Sequence, residues 1–502
     1  MPQARFTIDP ELRVGPVSRR TFGSFVEHLG RCVYTGIHEP THPTADANGF
    51  RGDVLKLVRE LGVSTVRYPG GNFVSGYRWE DGIGPAAQRK ARLDLAWHSL
   101  EPNTVGVDEL IGWARAAGVE PMMAVNLGTR GITEAVDLLD YCNGTSASHL
   151  AGLRRSNGSR EPHDVRMWCL GNEMDGPWQT GHKTALEYGR LAAETARAMR
   201  QVDPDLELVA CGSSSPDMAT FAEWERIVLT ETYDLVDYIS LHAYYQETDG
   251  DLASFLGSAV DMDAFIRSVI ATVDHVKAVK KSDKQVNVSF DEWNVWYQAR
   301  AQSIPPTGDQ WPVAPILLED QYSAADAVVV GSLIITLLRH CDRVTAASQA
   351  QLVNVIAPIM TEPGGPAWRQ TIFHPFAQAS ALAHGQVLRI TPTSPTFSTS
   401  LHGEVASVDA VATWDEQTGT GAVLVVNRDP HQSMDLAIDL SRLGSIRVTA
   451  VTTLAEEDPY ACNSVQEPER VIPHNRQDAK LEGGTLCIQL PAVSWSTMRL
   501  ER

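Results

Sequence analysis

The hydrophobic pattern of the chain changes once, near residue 386. Before that point, short apolar runs alternate with longer segments whose apolar residues recur at helical spacing. Arg51–Leu61 places Val54, Val58 and Leu61 on one face and predicts a helix, whereas Val286–Trp293 reads VNVSFDEW and predicts a strand. The first 385 residues therefore read as alternating strands and helices.

This alternation predicts eight strands, each followed by a helical segment, of which the last is Trp368–His384. The strands lie near residues 22, 64, 122, 166, 208, 239, 287 and 345. Alternating units imply a parallel sheet, and eight of them fit a (β/α)₈ barrel. A doubly wound open sheet is the structural alternative, but its dinucleotide-binding form needs a glycine fingerprint that Gly23 and Gly30 do not make. We expect an α/β fold with the barrel over residues 18–385.

Beyond residue 386 the runs are short, alternate in polarity and are separated by turn residues. This pattern predicts an all-β sandwich over residues 386–502. A further predicted strand, at residues 5–10, has no place in the barrel, so we expect residues 1–17 to add a strand to the sandwich. The predicted sandwich strands are Gln386–Ile390, Val405–Trp414, Gly421–Asn427, Met434–Leu440, Ile446–Leu454 and Thr485–Pro491.

The composition limits the kinds of molecule that the protein is expected to bind. The 62 acidic residues outnumber the 42 basic ones, giving a formal charge of −20, which repels phosphate backbones and argues against nucleic acid. No apolar stretch approaches the ~18 residues of a membrane span. The seven cysteines show no CxxC spacing, and the first residues contain no apolar signal segment, so we expect a cytoplasmic protein.

The polar residues that end the predicted strands carry the candidate chemistry, because barrel active sites form at the carboxyl ends of the strands. Two strands end in a glutamate: VRMWCLGNEMD contains Glu173, and VNVSFDEW contains Glu292. Glycoside hydrolysis requires a carboxylic acid that protonates the departing oxygen and a second carboxylate that attacks or activates water. A lone glutamate after a strand more often forms a surface salt bridge, but two in one barrel favour catalysis. The other strand-end residues are Glu27, Asn72, Asn126, Asn172, His242, Tyr244 and Gln349.

Several of these candidates also fit a purely structural role. Glu27 alone reads as a solvated or capping carboxylate, and Asn72 after two glycines reads as a turn residue. Trp168, Trp178 and Trp293 favour a core position, whereas Trp296 lies past a strand end, where it could stack on a sugar. The histidines show no HxH spacing, so we predict no metal and no cofactor.

Five long segments resemble glycoside hydrolase family 51, the α-L-arabinofuranosidases. They read GSFVEHLGRCVYTGI, VRYPGGNFVSGYRWEDGIGP, WCLGNEMDGPWQ, SLHAYY and SFDEWNVWY, and the resemblance extends over nearly the whole chain. It implies a barrel followed by a jelly-roll-type sandwich, with Glu173 as acid/base and Glu292 as nucleophile. The substrate-binding positions that it implies are Glu27, Asn72, Trp97, Asn172, Tyr244 and Gln349.

The resemblance implies a retaining, exo-acting enzyme that releases terminal α-L-arabinofuranosyl residues from arabinan- or arabinoxylan-derived oligosaccharides. It also implies an intracellular homo-oligomer, a hexamer in this family. A retaining mechanism predicts carboxyl groups roughly 5–5.5 Å apart. An endo-β-glucanase on the same scaffold, a non-catalytic carbohydrate-binding protein and a metal-dependent sugar isomerase are the alternatives. The Pro-containing segment 298–320 departs from the family pattern and bears on the leaving-group subsite.

Overall fold

Eight parallel strands close into a barrel in the computed structural model, which describes residues 3–502. The predicted (β/α)₈ fold is confirmed, with each strand paired to the next along the chain and the eighth paired to the first. We number these barrel strands one to eight. They are Gly23–Phe25, Thr65–Tyr68, Glu120–Ala124, Met167–Leu170, Glu207–Ala210, Tyr238–Tyr245, Asn287–Val295 and Val344–Gln349.

Amphipathic helices surround the barrel and end where the sequence provides caps. Thr184 accepts a hydrogen bond from the Glu187 backbone and begins the helix after strand four, and Gly62 and Gly118 end two helices in the left-handed conformation. The α-helices are Gly52–Leu61, Val107–Ala117, Ile132–Asn143, His149–Ser156, Ala185–Val202, Glu223–Thr232, Leu252–Leu256, Ala259–Lys280, Ala324–Arg339 and Phe373–Leu382. Short 3₁₀ turns are Arg19–Phe22, Asn72–Ser75, Trp79–Gly82, Ala86–Gln88, Ala301–Ser303 and Ser441–Leu443.

The predicted start of the last helix at Trp368 is wrong. Trp368 lies in the strand Ala367–Arg369, which pairs antiparallel with Ile359–Thr361 across a tight turn, and the helix begins at Phe373. Two further hairpins project from the main sheets. They are Arg92–Asp94 with Ser99–Glu101 and Thr396–Thr399 with Gly403–Ala406.

The C-terminal residues form two sheets that pack on a common apolar core. The first strand of the chain pairs parallel with Met434–Asp439, and the second pairs with Gln386–Leu388. The seven-stranded sheet has the order Arg13–Pro16, Gln386–Leu388, Val408–Asp415, Thr420–Asn427, Ser494–Glu501, Arg447–Leu454 and His474–Asn475. The four-stranded sheet has the order Gln3–Thr7, Met434–Asp439, Thr485–Leu490 and Lys480–Glu482.

The helix Ala324–Arg339 joins the barrel to the sandwich. Its residues from Ala324 to Leu338 are all buried, because it packs on barrel strands on one side and on sandwich strands on the other. Its first N–H groups donate to carbonyls of the sandwich, Ala324 to Ala461 and Ala325 to Pro459, both at 2.9 Å. In residues 3–502, no helix combines the length and apolar character that a membrane crossing requires.

Candidate active site

Glu173 follows the buried fourth strand at a sharp change of chain direction. Gly171 has φ of 96°, and Glu173 itself has φ of 43°. Positive φ is uncommon for residues with a side chain and clusters at functional sites. Glu173 is buried, and its Oε2 atom accepts a hydrogen bond of 2.6 Å from the Trp178 indole N–H. The backbone therefore presents this carboxylate in a fixed orientation.

Glu292 lies within the seventh strand, between two strong donors. The Arg67 guanidinium donates to its Oε1 atom at 2.8 Å, and the Tyr244 hydroxyl donates to its Oε2 atom at 2.7 Å. Burial, followed by the negative charge of Glu292, raises the pKa of Tyr244 well above its ordinary value, so the phenol keeps its proton. The two donors hold the carboxylate of Glu292 from both of its oxygens. Its carboxylate oxygen lies within 4.8 Å of one from Glu173.

His242 bridges the carboxylates of the site. Its Nδ1 atom lies 2.8 Å from Glu173 and 3.6 Å from Glu292, and its Nε2 atom lies 2.8 Å from Asp291. Burial lowers the pKa of His242, but the charges and hydrogen bonds of these three carboxylates outweigh burial and raise it well above its ordinary value. His242 is therefore an imidazolium that donates from both nitrogens.

Arg67 supplies the second buried cation. Besides Glu292, its guanidinium donates to Asn172 Oδ1 at 2.6 Å and lies 3.7 Å from Asp291. Burial lowers the pKa of Arg67, but Asp291 and Glu292 outweigh it, so the pKa stands well above its ordinary value. Two cations thus lie among the buried carboxyl groups of Glu173, Asp291 and Glu292, and buried charges need such partners.

Glu27 forms the neighbouring part of the site. It accepts hydrogen bonds from the Phe73 backbone N–H and the Trp97 indole, both at 2.9 Å, and from the Gln351 amide at 3.0 Å. Burial raises the pKa of Glu27 to about 8 against these hydrogen bonds. A Cβ atom on Gly71 would lie 3.2 Å from Glu27 and 3.3 Å from Glu292, so this glycine leaves room between the two carboxylates.

Two amides of the site have free hydrogen-bonding atoms. Among the described residues, Asn172 Nδ2 and Gln349 Oε1 are buried without a partner. The other end of each amide is held, Asn172 Oδ1 by Arg67 and Gln349 Nε2 by Asn294 at 3.2 Å. Unpaired buried polar atoms are rare, which makes these two candidates for contact with a ligand. Asn72 begins a 3₁₀ turn and is half-buried.

Among the remaining candidates, Asn126 and Trp178 differ from expectation. Asn126 uses its amide for its own turn, since its Oδ1 atom accepts from the backbone of Gly128 and Thr129. The expectation of a core position is confirmed for Trp168 and Trp293 but is wrong for Trp178, which is 50% exposed because it covers Glu173 from the solvent side.

Sequence reasoning missed Arg67, Asp291 and Gln351 as members of the site. Arg67 did carry a signal, because an arginine inside the apolar strand STVRY must meet buried carboxylates.

Glu173, His242 and Glu292 are also the group among residues 3–502 whose ligand atoms could reach one metal ion. Both nitrogens of His242 already contact carboxylates, and its raised pKa keeps it protonated, whereas a metal ligand must be a neutral imidazole. This donor set does not fit a resident metal.

A parallel (β/α)₈ barrel with close carboxylates at its strand ends defines the class of the protein, the barrel glycoside hydrolases. Two family models match the chain, an α-L-arabinofuranosidase 1 domain over residues 57–267 and an α-L-arabinofuranosidase C-terminal domain over residues 291–494.

Similar proteins identify the family. An intracellular exo-α-(1→5)-L-arabinofuranosidase of Streptomyces lividans is 59% identical over 99% of this chain and 75% of its own length. An exo-α-(1→6)-L-arabinofuranosidase of Bifidobacterium longum is 54% identical over 99% of this chain and 97% of its own. The solved structure of AbfB, a family 51 α-L-arabinofuranosidase of Bifidobacterium longum, superposes with a TM-score of 0.96 at 50% identity, covering 99% of each chain. The chain belongs to glycoside hydrolase family 51, the α-L-arabinofuranosidases.

Proposed function

We propose that the protein is an exo-acting glycosidase that releases terminal α-L-arabinofuranosyl residues with retention of anomeric configuration. The observation that carries the proposal is the short distance between carboxylate oxygens of Glu173 and Glu292, within 4.8 Å. Retaining glycosidases hold the two groups roughly 5–5.5 Å apart, whereas inverting enzymes need at least about 6.5 Å to admit a water molecule.

In the first step, Glu292 attacks the anomeric carbon while Glu173 protonates the departing glycosidic oxygen. Arg67 and Tyr244 fix the orientation of Glu292, since each donates to a different oxygen. As the bond to the anomeric carbon forms, the charge on Glu292 is neutralised. A covalent arabinosyl-enzyme results.

In the second step, Glu173 accepts a proton from a water molecule that attacks the anomeric carbon and releases Glu292. The hydrogen bonds from Trp178 and His242 fix the carboxylate of Glu173 for both steps. The same carboxyl group thus acts first as acid and then as base.

The remaining site residues bind the sugar. We propose that Asn172 Nδ2 and Gln349 Oε1 pair with furanose hydroxyls, because both atoms are buried and unpaired among the described residues. Glu27, Asn72, Trp97 and Tyr244 complete the pocket. Hydrogen bonds that strengthen in the transition state supply several kcal/mol in such enzymes.

The substrate chain is an arabinan- or arabinoxylan-derived oligosaccharide in our proposal. The two relatives compared above carry different linkages in their names, (1→5) and (1→6), so we leave the linkage to experiment. Initial rates on arabino-oligosaccharides of defined linkage, and on arabinosylated xylo-oligosaccharides, would rank these substrates.

A panel of aryl glycosides tests the sugar specificity. We expect hydrolysis of the α-L-arabinofuranoside and none of the β-glucoside or β-xyloside. Preference for the β-glucoside would instead establish the endo-glucanase alternative, and hydrolysis of none would favour a carbohydrate-binding protein.

We further propose a cytoplasmic homo-oligomer. Relatives from Streptomyces lividans and Halalkalibacterium halodurans are named intracellular enzymes, which supports the location. The hexameric state rests on the family resemblance. Light scattering after size-exclusion chromatography would give the mass of the particle directly.

A further inference from the structure

A cavity of about 560 Å³ opens beside the catalytic residues. Its walls come from Ser215–Asp217 after barrel strand five, from residues of strand six and the segment that follows it, between Ala243 and Asp261, and from Ser400–His402 at the tip of a sandwich hairpin. We call this cavity the side groove. One of its walls thus comes from the C-terminal sandwich.

The sandwich wall is anchored to the barrel. The backbone N–H groups of Ser400 and Leu401 donate to the Ser254 hydroxyl at 3.0 and 3.2 Å, and that hydroxyl donates to Asp251 at 2.7 Å. Ser254 and Asp251 belong to the start of the barrel helix Leu252–Leu256. The hairpin tip is therefore held in place beside the barrel rim, although Leu401 remains 73% exposed.

The side groove adjoins the catalytic centre. Tyr244 lines the groove, and its hydroxyl donates to Glu292. Ser214, next to the groove residue Ser215, donates its backbone N–H to Asp175 at 3.0 Å, and Asp175 lies two residues beyond Glu173. The groove thus lies over strands five and six, next to the loop that carries Glu173, the group that protonates the leaving group in the proposed mechanism.

The lining combines the features of a site for neutral sugars. Leu401 offers apolar surface, and Gln246, Thr248 and His402 offer hydrogen-bonding groups. The charge of the lining also selects among ligands, because the lining contains the four carboxylates of Asp217, Asp249, Asp251 and Asp261. Carboxylates accept hydrogen bonds from sugar hydroxyls but repel a uronic acid.

We propose that the side groove is a leaving-group subsite for a neutral pentose oligosaccharide and that the sandwich contributes Leu401 and His402 to it. This inference rests on the proposed function, since it concerns the chain from which the arabinosyl unit departs. It assigns the C-terminal sandwich a part in substrate choice.

The test compares kcat/KM for a neutral arabino-oligosaccharide with kcat/KM for an aryl α-L-arabinofuranoside, whose small leaving group does not extend into the groove. We expect His402→Ala to lower the oligosaccharide-to-aryl ratio about fivefold, the effect of one lost hydrogen bond. Thr248→Trp, which fills the groove, should lower the ratio further. The matched control is His474→Ala, an exposed histidine of the same sandwich, which should leave the ratio at the wild-type value.

An unchanged ratio in both His402→Ala and Thr248→Trp would overturn the subsite. Failure of the wild-type protein to hydrolyse the aryl arabinofuranoside would instead refute the proposed function, so the two failures are distinguishable. A second arm tests charge: the wild type should favour the neutral oligosaccharide over one bearing a uronic acid, and Asp217→Asn with Asp249→Asn should reduce that preference. A wild-type preference for the uronate-bearing chain contradicts the proposal.

Discussion

At the scale of single residues, the positive charge of His242 offsets negative charge in the site. It lies 2.8 Å from both Glu173 and Asp291 and 3.6 Å from Glu292. Without this cation, Arg67 alone would face three buried carboxylates. Removing one partner of a buried ion pair is costly because the other charge stays uncompensated.

We predict that His242→Gln lowers the free energy of unfolding by about 3 kcal/mol at pH 6. The folded-state pKa of His242 is raised, so its contribution to stability is fully present below the ordinary pKa of about 6.5 and is lost as the pH rises through the folded-state value. Denaturant unfolding of the wild type and the variant over a pH series would measure this difference in the free energy of unfolding. A wild-type advantage that grows with pH contradicts the assignment of an imidazolium.

Glu27 also predicts that stability falls with rising pH, over a window that begins at a lower pH than that of His242. Burial raises its pKa to about 8 from an ordinary value of 4.5, so between these values the folded protein binds a proton that the unfolded chain has lost. Stability should therefore fall with rising pH in this window, by up to about 1.4 kcal/mol per pH unit. Glu27→Gln should remove that slope, whereas Glu482→Gln on the exposed surface should keep it.

Sequence reasoning found Glu173 and Glu292 and missed Arg67 inside strand two and Gln351 beyond strand eight. Glu173 and Glu292 were predictable because a barrel gathers strand ends. Arg67 carried a signal as a cation inside an apolar strand, but its place in the site was not predictable, because strand two is buried on both faces and its pattern does not reveal which side chains point inward. Gln351 lies just beyond strand eight. It contacts Glu27, which is 324 residues away in the chain, and a local sequence pattern does not reveal such a contact.

At the scale of elements, the hairpin after strand two positions Trp97. Asp94 accepts hydrogen bonds from the backbone of Ala96 at 3.1 Å and of Trp97 at 3.2 Å, and the Trp97 indole then donates to Glu27. Asp94 therefore acts on the pocket through the loop, without being placed to touch the sugar itself.

We predict that Asp94→Ala lowers kcat/KM on an aryl arabinofuranoside about tenfold, because the loop that carries Trp97 loses two hydrogen bonds. Asp46→Ala is the matched control. Asp46 caps a loop in the same manner, accepting from Asn48 at 2.8 Å and Phe50 at 2.9 Å, but it is exposed and outside the site. Equal losses in the two variants would mean that Asp94 has only a general structural role.

Elements that deviate from simple periodicity were the ones that prediction missed. Ser494–Glu501 lies in the centre of the seven-stranded sheet, yet it was not predicted, because Ser494, Ser496 and Thr497 are buried and remove the alternation of polar and apolar residues. One of its faces packs in the sandwich core, and the other, with Trp495, packs toward the barrel. Such double burial depends on domain packing that local sequence does not encode.

At the scale of the whole molecule, Gly331 and Trp495 form a buried contact between the barrel and the sandwich. Gly331, in the middle of the joining helix, faces Trp495, and a Cβ atom there would come within 2.4 Å of the indole ring. The Trp495 indole N–H also donates to Gln378 at 2.7 Å, which fixes the ring and limits its retreat.

We predict that Gly331→Ala lowers the free energy of unfolding by about 2 kcal/mol through overpacking at this contact. Gly112→Ala is the control, since Gly112 is also inside a helix but has open space around its Cβ position. That variant should be more stable than the wild type by about 0.5–1 kcal/mol. A stabilised Gly331→Ala would show that the joining helix does not fix the sandwich to the barrel.

The roles of Glu173 and Glu292 in retention are the central claim, and trapping of the covalent intermediate tests them most directly. Glu173→Ala should still form the arabinosyl-enzyme from an aryl arabinofuranoside with an acidic phenol, which needs no protonation, but should hydrolyse it slowly. Mass spectrometry of the quenched variant should then show one pentosyl unit on the peptide that contains Glu292. Absence of the adduct, or its attachment to another residue, would contradict the account.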